Sequence, residues 1–348
     1  MSIEFRDYRF LLALTLPTMP VVGYLIGNNF YTLIVGIIVI GLLDFVFGRD
    51  RRNPPPEALA TFEEARLYRF ILYGCTALDL AVLAWGAVIA GRGELPPVQT
   101  LGLMLSVGFV TGAQGITFAH ELGHARSKFD QLLAKVLLTS VCYGHFFIEH
   151  NRGHHVRVAT ADDPASARYR ENFYAFYART LAGSWLHAWR LERERLRRYG
   201  SGFFSWRNQM LWFTALPILI AAAFWLAWGP NAALFFVVQS WMAFTLLEAV
   251  NYVQHYGLAR RQLENGAYER VAHHHSWNAS EVLTNCFLIH LQRHSDHHEN
   301  PARQYQALMH HDDGPQLPTG YSGMLPLALV PPLWFAVMNP RLRAVTSS

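Results

Sequence analysis

The sequence predicts an all-α, polytopic membrane protein: six transmembrane helices joined to a histidine-rich cytoplasmic cap. Three observations carry that reading. Long uncharged apolar runs recur along the chain, arginine gathers on one side of them, and histidines at helical spacing sit at their ends on that same side. Of the 348 residues, 52% are hydrophobic and 14% aromatic. A soluble chain can be that apolar, but it rarely holds runs of about 18 to 22 residues, long enough to cross the ~30 Å hydrocarbon layer.

The expected spans are about 10–27 (interrupted by Pro17 and Pro20), 30–47, 70–91, 98–119, 211–229 and 232–250. Pro54–Pro56 and Pro96–Pro97 read as turns between them. No small-residue cleavage site follows the first run, so a removed signal peptide is not expected. No internal repeat or long linker divides the chain, and residues 1–348 are read as one membrane-embedded domain. The apolar stretch Met324–Met338 is broken by Pro326, Pro331 and Pro332 and reads as interfacial.

A seventh crossing at Leu132–Ile148 is rejected. It contains Lys135 and His145, and it separates the histidines at 120–124 from those at 150–155. A full crossing would put those groups on opposite sides of the bilayer, so a re-entrant or interfacial helix is expected instead. With six spans, the cap comprises 120–210 and 254–348 and holds nearly all the Lys and Arg; the opposite loops carry Arg92 alone. The positive-inside rule makes the cap cytoplasmic and the membrane the cell inner membrane. The net charge of +4 therefore reports topology rather than nucleic-acid binding. Three scattered cysteines provide neither a disulfide framework nor a Cys-based metal site.

Four motifs carry candidate chemistry: "HELGH" (His120, His124), "EHNRGHH" (His150, His154, His155), "NYVQHYGL" (His255) and "LQRHSDHH" (His294, His297, His298). Spacing of i, i+4 puts two rings on one helix face, within reach of one metal. Nine imidazoles exceed the roughly four to six ligands that one first-row ion accepts, so two metals are expected. Interleaved polar residues are candidates to accept the second ring N–H of a ligand: Glu121, Glu149, Glu248, Gln254, Asp296 and, from "HHHSWN", His274. No catalytic side chain beyond the metal centre is expected. Asp44, near the cap end of the second span, is expected to help hold the roof of the site, and Asp79 is a second acid within a span. His145, His187, His290, His310 and His311 are read as structural.

Three functions compete for these residues. "HELGH" fits an intramembrane zinc protease with Glu121 as general base, but leaves most of the other histidines idle. A metal carrier would place its ligands nearer the bilayer midplane. An oxygen-activating di-iron enzyme uses every motif.

The four motifs in this order, with "DDPASAR" (162–168), "HHSWNAS" (274–280) and "LPTGY" (317–321), resemble the integral-membrane alkane 1-monooxygenases of the histidine-rich desaturase and hydroxylase superfamily. The likeness runs from about Asp44 to the tail, and HxxxHH in the second box favours the hydroxylase branch. It implies insertion of one oxygen atom from O2 into a terminal C–H bond of an n-alkane, two iron ions held by the nine histidines, and rubredoxin as a separate electron donor. One residue departs: Gln254 replaces the glutamate usual in alkane hydroxylases and is similar to the xylene-type monooxygenases, which act on aromatic methyl groups. The arginines between 157 and 207 offer a basic surface on which an acidic donor could dock.

Overall fold

The computed structural model describes residues 5–55, 57 and 66–346, so the expected turn at Pro54–Pro56 lies partly outside the described residues. Within them the chain is helical, with only isolated β-bridges. Five helices are long and apolar enough to cross a membrane: α1 (Tyr8–Leu25), α3 (Arg66–Arg92), α4 (Pro97–His124), α8 (Gln209–Trp228) and α9 (Pro230–His255). The expected second span is α2 (Tyr31–Phe47), whose 17 residues reach about 25 Å, a little short of the hydrocarbon thickness.

Helix boundaries follow local chemistry. Proline opens α4 and α9, where a missing N–H costs nothing, and Gly48 ends α2 at a positive φ of 72°. Asn208 caps α8 by accepting from the Met210 N–H. The central helix is α9, which packs on α3, α4 and α8. Its contact with α4 depends on small residues: a Cβ on Gly108 would lie 2.6 Å from Gln239 O, and one on Gly112 would lie 2.6 Å from Ala243 Cα.

Between α4 and α8 the chain folds back without crossing. Helix α5 (Lys128–Thr139) is only 12 residues long, and a short helix α6 follows over 146–157, so His124 and His150 end in contact, as they could not across a seventh crossing. The cap continues with α7 (Phe173–Arg198) and, after α9, with α10 (Val282–Phe287), α11 (His294–Glu299), α12 (Tyr321–Ala328) and α13 (Pro331–Thr346). The last two occupy the proline-broken stretch, and Ser322 Oγ donates to the Gly36 carbonyl of α2 at 3.4 Å.

Asp44 ties α2 to the cap. Its Oδ1 accepts the backbone N–H of Leu283 (2.7 Å) and of Thr284 (3.2 Å), and the Thr284 hydroxyl donates to its other oxygen. These are first-turn amides of α10, without partners in their own helix. Asp44→Ala strands them in a buried place and is expected to destabilise the protein by about 2–4 kcal/mol. Thermal unfolding in detergent checks this; Asp44→Asn, which keeps one acceptor oxygen, is expected to lose less.

Candidate metal centre

The nine histidines converge in one layer at the cap ends of α4 and α9, between α6 and α11. They divide into two groups, His120, His124, His150, His155 and His297, and His154, His255, His294 and His298; within each, one ring nitrogen per residue lies within 4.8 Å of all the others. The contacts are between Nε2 atoms. His150 lies 3.1 Å from His124 and 3.0 Å from His155, and His155 lies 3.2 Å from His297. In the second group, His294 lies 3.1 Å from His255 and 2.9 Å from His298.

Hydrogen bonding does not account for such a lattice, because neutral imidazole has one donor and one acceptor nitrogen. The Nε2 of His150 faces two other Nε2 atoms, while the Nε2 atoms of His120 and His154 are buried without a partner. A cation explains it: nitrogens about 2.1 Å from one ion and at right angles lie about 3.0 Å apart. Burial pushes the pKa of His150, His155, His294, His297 and His298 well below the usual imidazole value, leaving them neutral donors. The donor set fits a metal centre.

One spacing argument needs correction. His150 and His154, an i, i+4 pair, do not share a group. The turn His150–His154 is π-helical, with about one extra residue per turn, and brings His155 rather than His154 over His150. His154 is thereby turned into the second group. On α11, His294 and His298 keep the i, i+4 relation, while His297 faces the first group.

The expected outer partners are mostly elsewhere. Glu121 accepts from the Tyr305 N–H (3.0 Å). Glu149 pairs with His187 Nδ1 (3.0 Å). Buried Glu248 accepts from Tyr143 Oη (2.5 Å), Thr180 Oγ1 (3.0 Å) and Asn251 Nδ2 (3.2 Å). Asp296 binds Arg303, Asn300, His311 and the Met309 N–H, pinning the loop beneath α11. Gln254 donates to Tyr321 Oη at 2.6 Å. In each case the nearer polar partner lies on a neighbouring element, which residue spacing does not reveal.

His274 is exposed and groups with His275 and Glu269, in a set that shares no member with the nine. In that trio His275 Nδ1 accepts the Ala272 N–H at 3.0 Å, so Nε2 carries the proton and faces Glu269 Oε1 at 3.2 Å. The same segment serves the site through other residues. Ser276 Oγ lies 3.5 Å from His255 Nδ1, and Asn278 Oδ1 accepts from Ser295 N at the start of α11.

The carboxylate that does meet a histidine of the centre is Asp163, which the candidate set does not contain. Its Oδ2 accepts from His154 Nδ1 at 2.8 Å and from Ser166 Oγ at 2.6 Å. The only sequence signal is its place inside "DDPASAR". Burial would raise the Asp163 carboxyl, but His154 and Ser166 outweigh it and hold the acid ionised. Burial likewise opposes charge on His154, and Asp163 reverses the balance, raising its pKa. The proton on Nδ1 is thus fixed, and the Nε2 lone pair is aimed inward.

Above the two groups lies a cavity of about 680 Å³ lined by His120, His150 and His294 and otherwise mostly by apolar side chains of α2, α4, α9, α10 and α12. Among the polar exceptions are Gln254 and Tyr321.

Two outcomes follow for metal binding. His297→Ala is expected to lower bound metal while His274→Ala leaves it unchanged, read by elemental analysis. Asp163→Asn is expected to weaken metal affinity about 10–100-fold. Because the pKa of His154 is raised, protons compete with metal at its Nε2, so affinity falls as pH drops through that pKa and levels off above it. The variant, lacking the ionised partner, is expected to flatten that dependence in metal titrations at several pH values.

The fatty acid desaturase family profile matches residues 96–327, which hold all nine histidines. Alkane 1-monooxygenase 2 of Pseudomonas aeruginosa is 48% identical over 321 residues, 91% of this chain and 85% of that protein. The alkane 1-monooxygenase of Ectopseudomonas oleovorans is 38% identical over 347 residues, 98% of this chain and 86% of its own. The hydroxylase component of a xylene/toluene monooxygenase from Pseudomonas putida is 30% identical over 257 residues, 73% of this chain and 68% of that protein. With a histidine-rich layer beneath membrane-spanning helices and this extent of identity, the chain belongs to the alkane 1-monooxygenases of the fatty acid desaturase family.

Proposed function

We propose that this protein hydroxylates the terminal methyl group of n-alkanes with O2 at two irons, one held by His120, His124, His150, His155 and His297 and the other by His154, His255, His294 and His298. The observation that carries the reading is the apolar cavity of about 680 Å³ whose wall includes histidines of both groups. Bound iron supplies the activation of O2, with one oxygen atom entering the C–H bond and the other leaving as water. The protein's own residues do the rest. Phe109, Ile116, Leu246 and Leu291 line the chain's path and exclude water. An alkane offers no polar handle, so binding grows by about 0.8 kcal/mol per buried CH2 until the cavity ends. Asp163 keeps its proton on His154 Nδ1.

Six crossings with the histidine cap on the cytoplasmic side of the inner membrane complete the proposal. Contacts at the two ends of α2 support counting it. Asn29, just before it, bonds Gln99 at the opening of α4 (2.9 Å), and Arg49, just after it, bonds Glu281 of the cap (2.9 Å). Arg9 at the start of α1 likewise bonds Asp50 at 2.6 Å. Both observed ends then lie on the cap side, where the arginines are.

A protease built on His120, Glu121 and His124 is disfavoured, because Glu121 is bonded to the Tyr305 backbone and both histidines belong to a group of five. Methyl groups on aromatic rings are the second reading. It rests on Gln254, which stands in the cavity wall, and on the kinship with the xylene/toluene enzyme.

Electrons are proposed to come from rubredoxin, a separate protein, docked on the exposed arginines of α7: Arg190, Arg193, Arg197 and Arg198. The iron-loaded protein, supplied with reduced rubredoxin at two or more equivalents per turnover and O2, is expected to convert octane to 1-octanol, read by gas chromatography. Preference for toluene or xylene would favour the second reading, and no oxygenated product from either class would overturn both. Val250→Phe, which fills the cavity, is expected to lower kcat/KM for dodecane at least about tenfold relative to hexane, since several CH2 groups lose burial at once. Replacing two of the four arginines by glutamate is expected to raise the KM for rubredoxin several-fold with kcat held, and to flatten its salt dependence.

A further inference from the structure

Aromatic rings form a continuous file from the metal centre to the cap surface, with Tyr143, Trp185 and Trp189 as its readily oxidised members. Phe146 stacks on His150 at 4.6 Å between centroids and packs 6.4 Å from Tyr143. Tyr143 meets His145 at 4.3 Å, His145 meets Trp185 at 5.2 Å, and Trp185 meets Trp189 at 6.2 Å, one turn along α7. Trp189 is partly exposed, stacks on Phe203 (5.4 Å), and adjoins the exposed Arg190. Tyr143, His145, Phe146, Glu149, His150 and His154 wall one small void, so Tyr143 stands one layer out from histidines of both groups.

Packing alone would be met by phenylalanine and leucine along this file. Two features ask for more. The buried Tyr143 hydroxyl donates to Glu248 Oε1 at 2.5 Å, a proton acceptor already oriented by Thr180 and Asn251. Beyond Tyr143 and the intervening His145, the rings are tryptophans, the other readily oxidised side chain. Rubredoxin gives electrons at far too mild a potential to reduce an aromatic ring, and a resting ferric centre is too weak an oxidant to take electrons from one. The file therefore does not serve as stepping stones for the electrons that load the centre. Only a strongly oxidising state of the centre draws electrons from tyrosine and tryptophan.

We infer that Tyr143, Trp185 and Trp189 form an escape path for oxidising equivalents, used when O2 is activated with no substrate in the cavity. The inference rests on the oxygen-activating reading of the centre. Tyr143 gives one electron to the centre and its phenolic proton to Glu248 Oε1, leaving a neutral tyrosyl radical. Trp185 then gives an electron to that radical as the proton returns from Glu248 to the phenol oxygen. Trp189 reduces Trp185 in turn, and a small thiol from solution restores Trp189, losing one electron and one proton and pairing with a second such thiol radical as a disulfide. Each transfer moves one electron inward and one oxidising equivalent outward, away from the histidines.

The test uses iron-loaded full-length protein in lipid nanodiscs, reduced and mixed with O2 without alkane. Freeze-quenched EPR is expected to show a tyrosyl radical whose line narrows in protein made with ring-deuterated tyrosine. Trp185→Phe, a mild change, is expected to lengthen the radical's lifetime several-fold by blocking its refilling. Tyr143→Phe is expected to abolish the signal. It is also expected to shift oxidative modification, mapped by mass spectrometry, from Trp185 and Trp189 to the histidines of the centre, and to shorten the enzyme's working life without substrate. Iron content of each variant reports whether the centre is intact. Normal octane turnover with a radical, damage pattern and lifetime indifferent to Tyr143 and Trp185 would overturn the inference alone. Failure of the iron-loaded protein to consume O2 would overturn the proposed function and this inference together.

Discussion

The structure turns on nitrogen lone pairs held close together. Several Nε2 atoms of neutral imidazoles lie 2.9–3.2 Å apart in two groups, an arrangement that hydrogen bonding alone does not satisfy. To hold it, two helices must end at one level, α4 with His120 and His124 and α9 with His255, while α6 and α11 must close over them. The surrounding polar contacts act as staples for that level. Asp44 holds α10, Asn278 holds α11, Arg9 binds His290 of the cap to the start of α1, and Arg49 binds the cap to the end of α2.

Of the three π-helical turns among the described residues, two do local work at the centre that regular helix could not. The turn His150–His154 shifts the register by one residue, so that three histidines within six positions serve two groups. The turn Thr111–Ile116 in α4 lies where Gly112, Ala113 and Ile116 wall the cavity, just above His120. A π turn widens the helix and weakens its own hydrogen bonding, so it persists where neighbouring contacts hold it. In α4, α9 presses against Gly112; in α6, Glu149 and His187 crowd Gly153.

Polar and apolar surroundings are kept apart around the centre. Along one side the cavity is hydrocarbon-like, which suits an unfunctionalised chain and keeps water from the site. Along the other lie Asp163, Glu149 and Glu248, each with specific donors that make its burial tolerable. Gln254 and Tyr321 are bonded to one another inside the mostly apolar wall.

By itself, the sequence determined the class of fold and the constellation. Long apolar runs force helices because a bilayer leaves no other partner for backbone polar groups, and nine histidines at turn spacing on one side of those runs announce a metal centre. The fold-back of 128–157 was legible for the same reason, since histidines on both flanks had to meet. The division into five and four was not, because a π turn at His150–His154 is set by packing and breaks the i, i+4 rule from which spacing arguments start. Nor were the outer partners: Asp163 reaches His154 across a loop, while Glu121, Glu248 and Asp296, nearer the motifs or buried in a span, are claimed by Tyr305, Tyr143 and Arg303. Local spacing says which side chains share a helix face; which partner each one meets across the fold is decided by the packing of distant segments, and only the tertiary structure holds that.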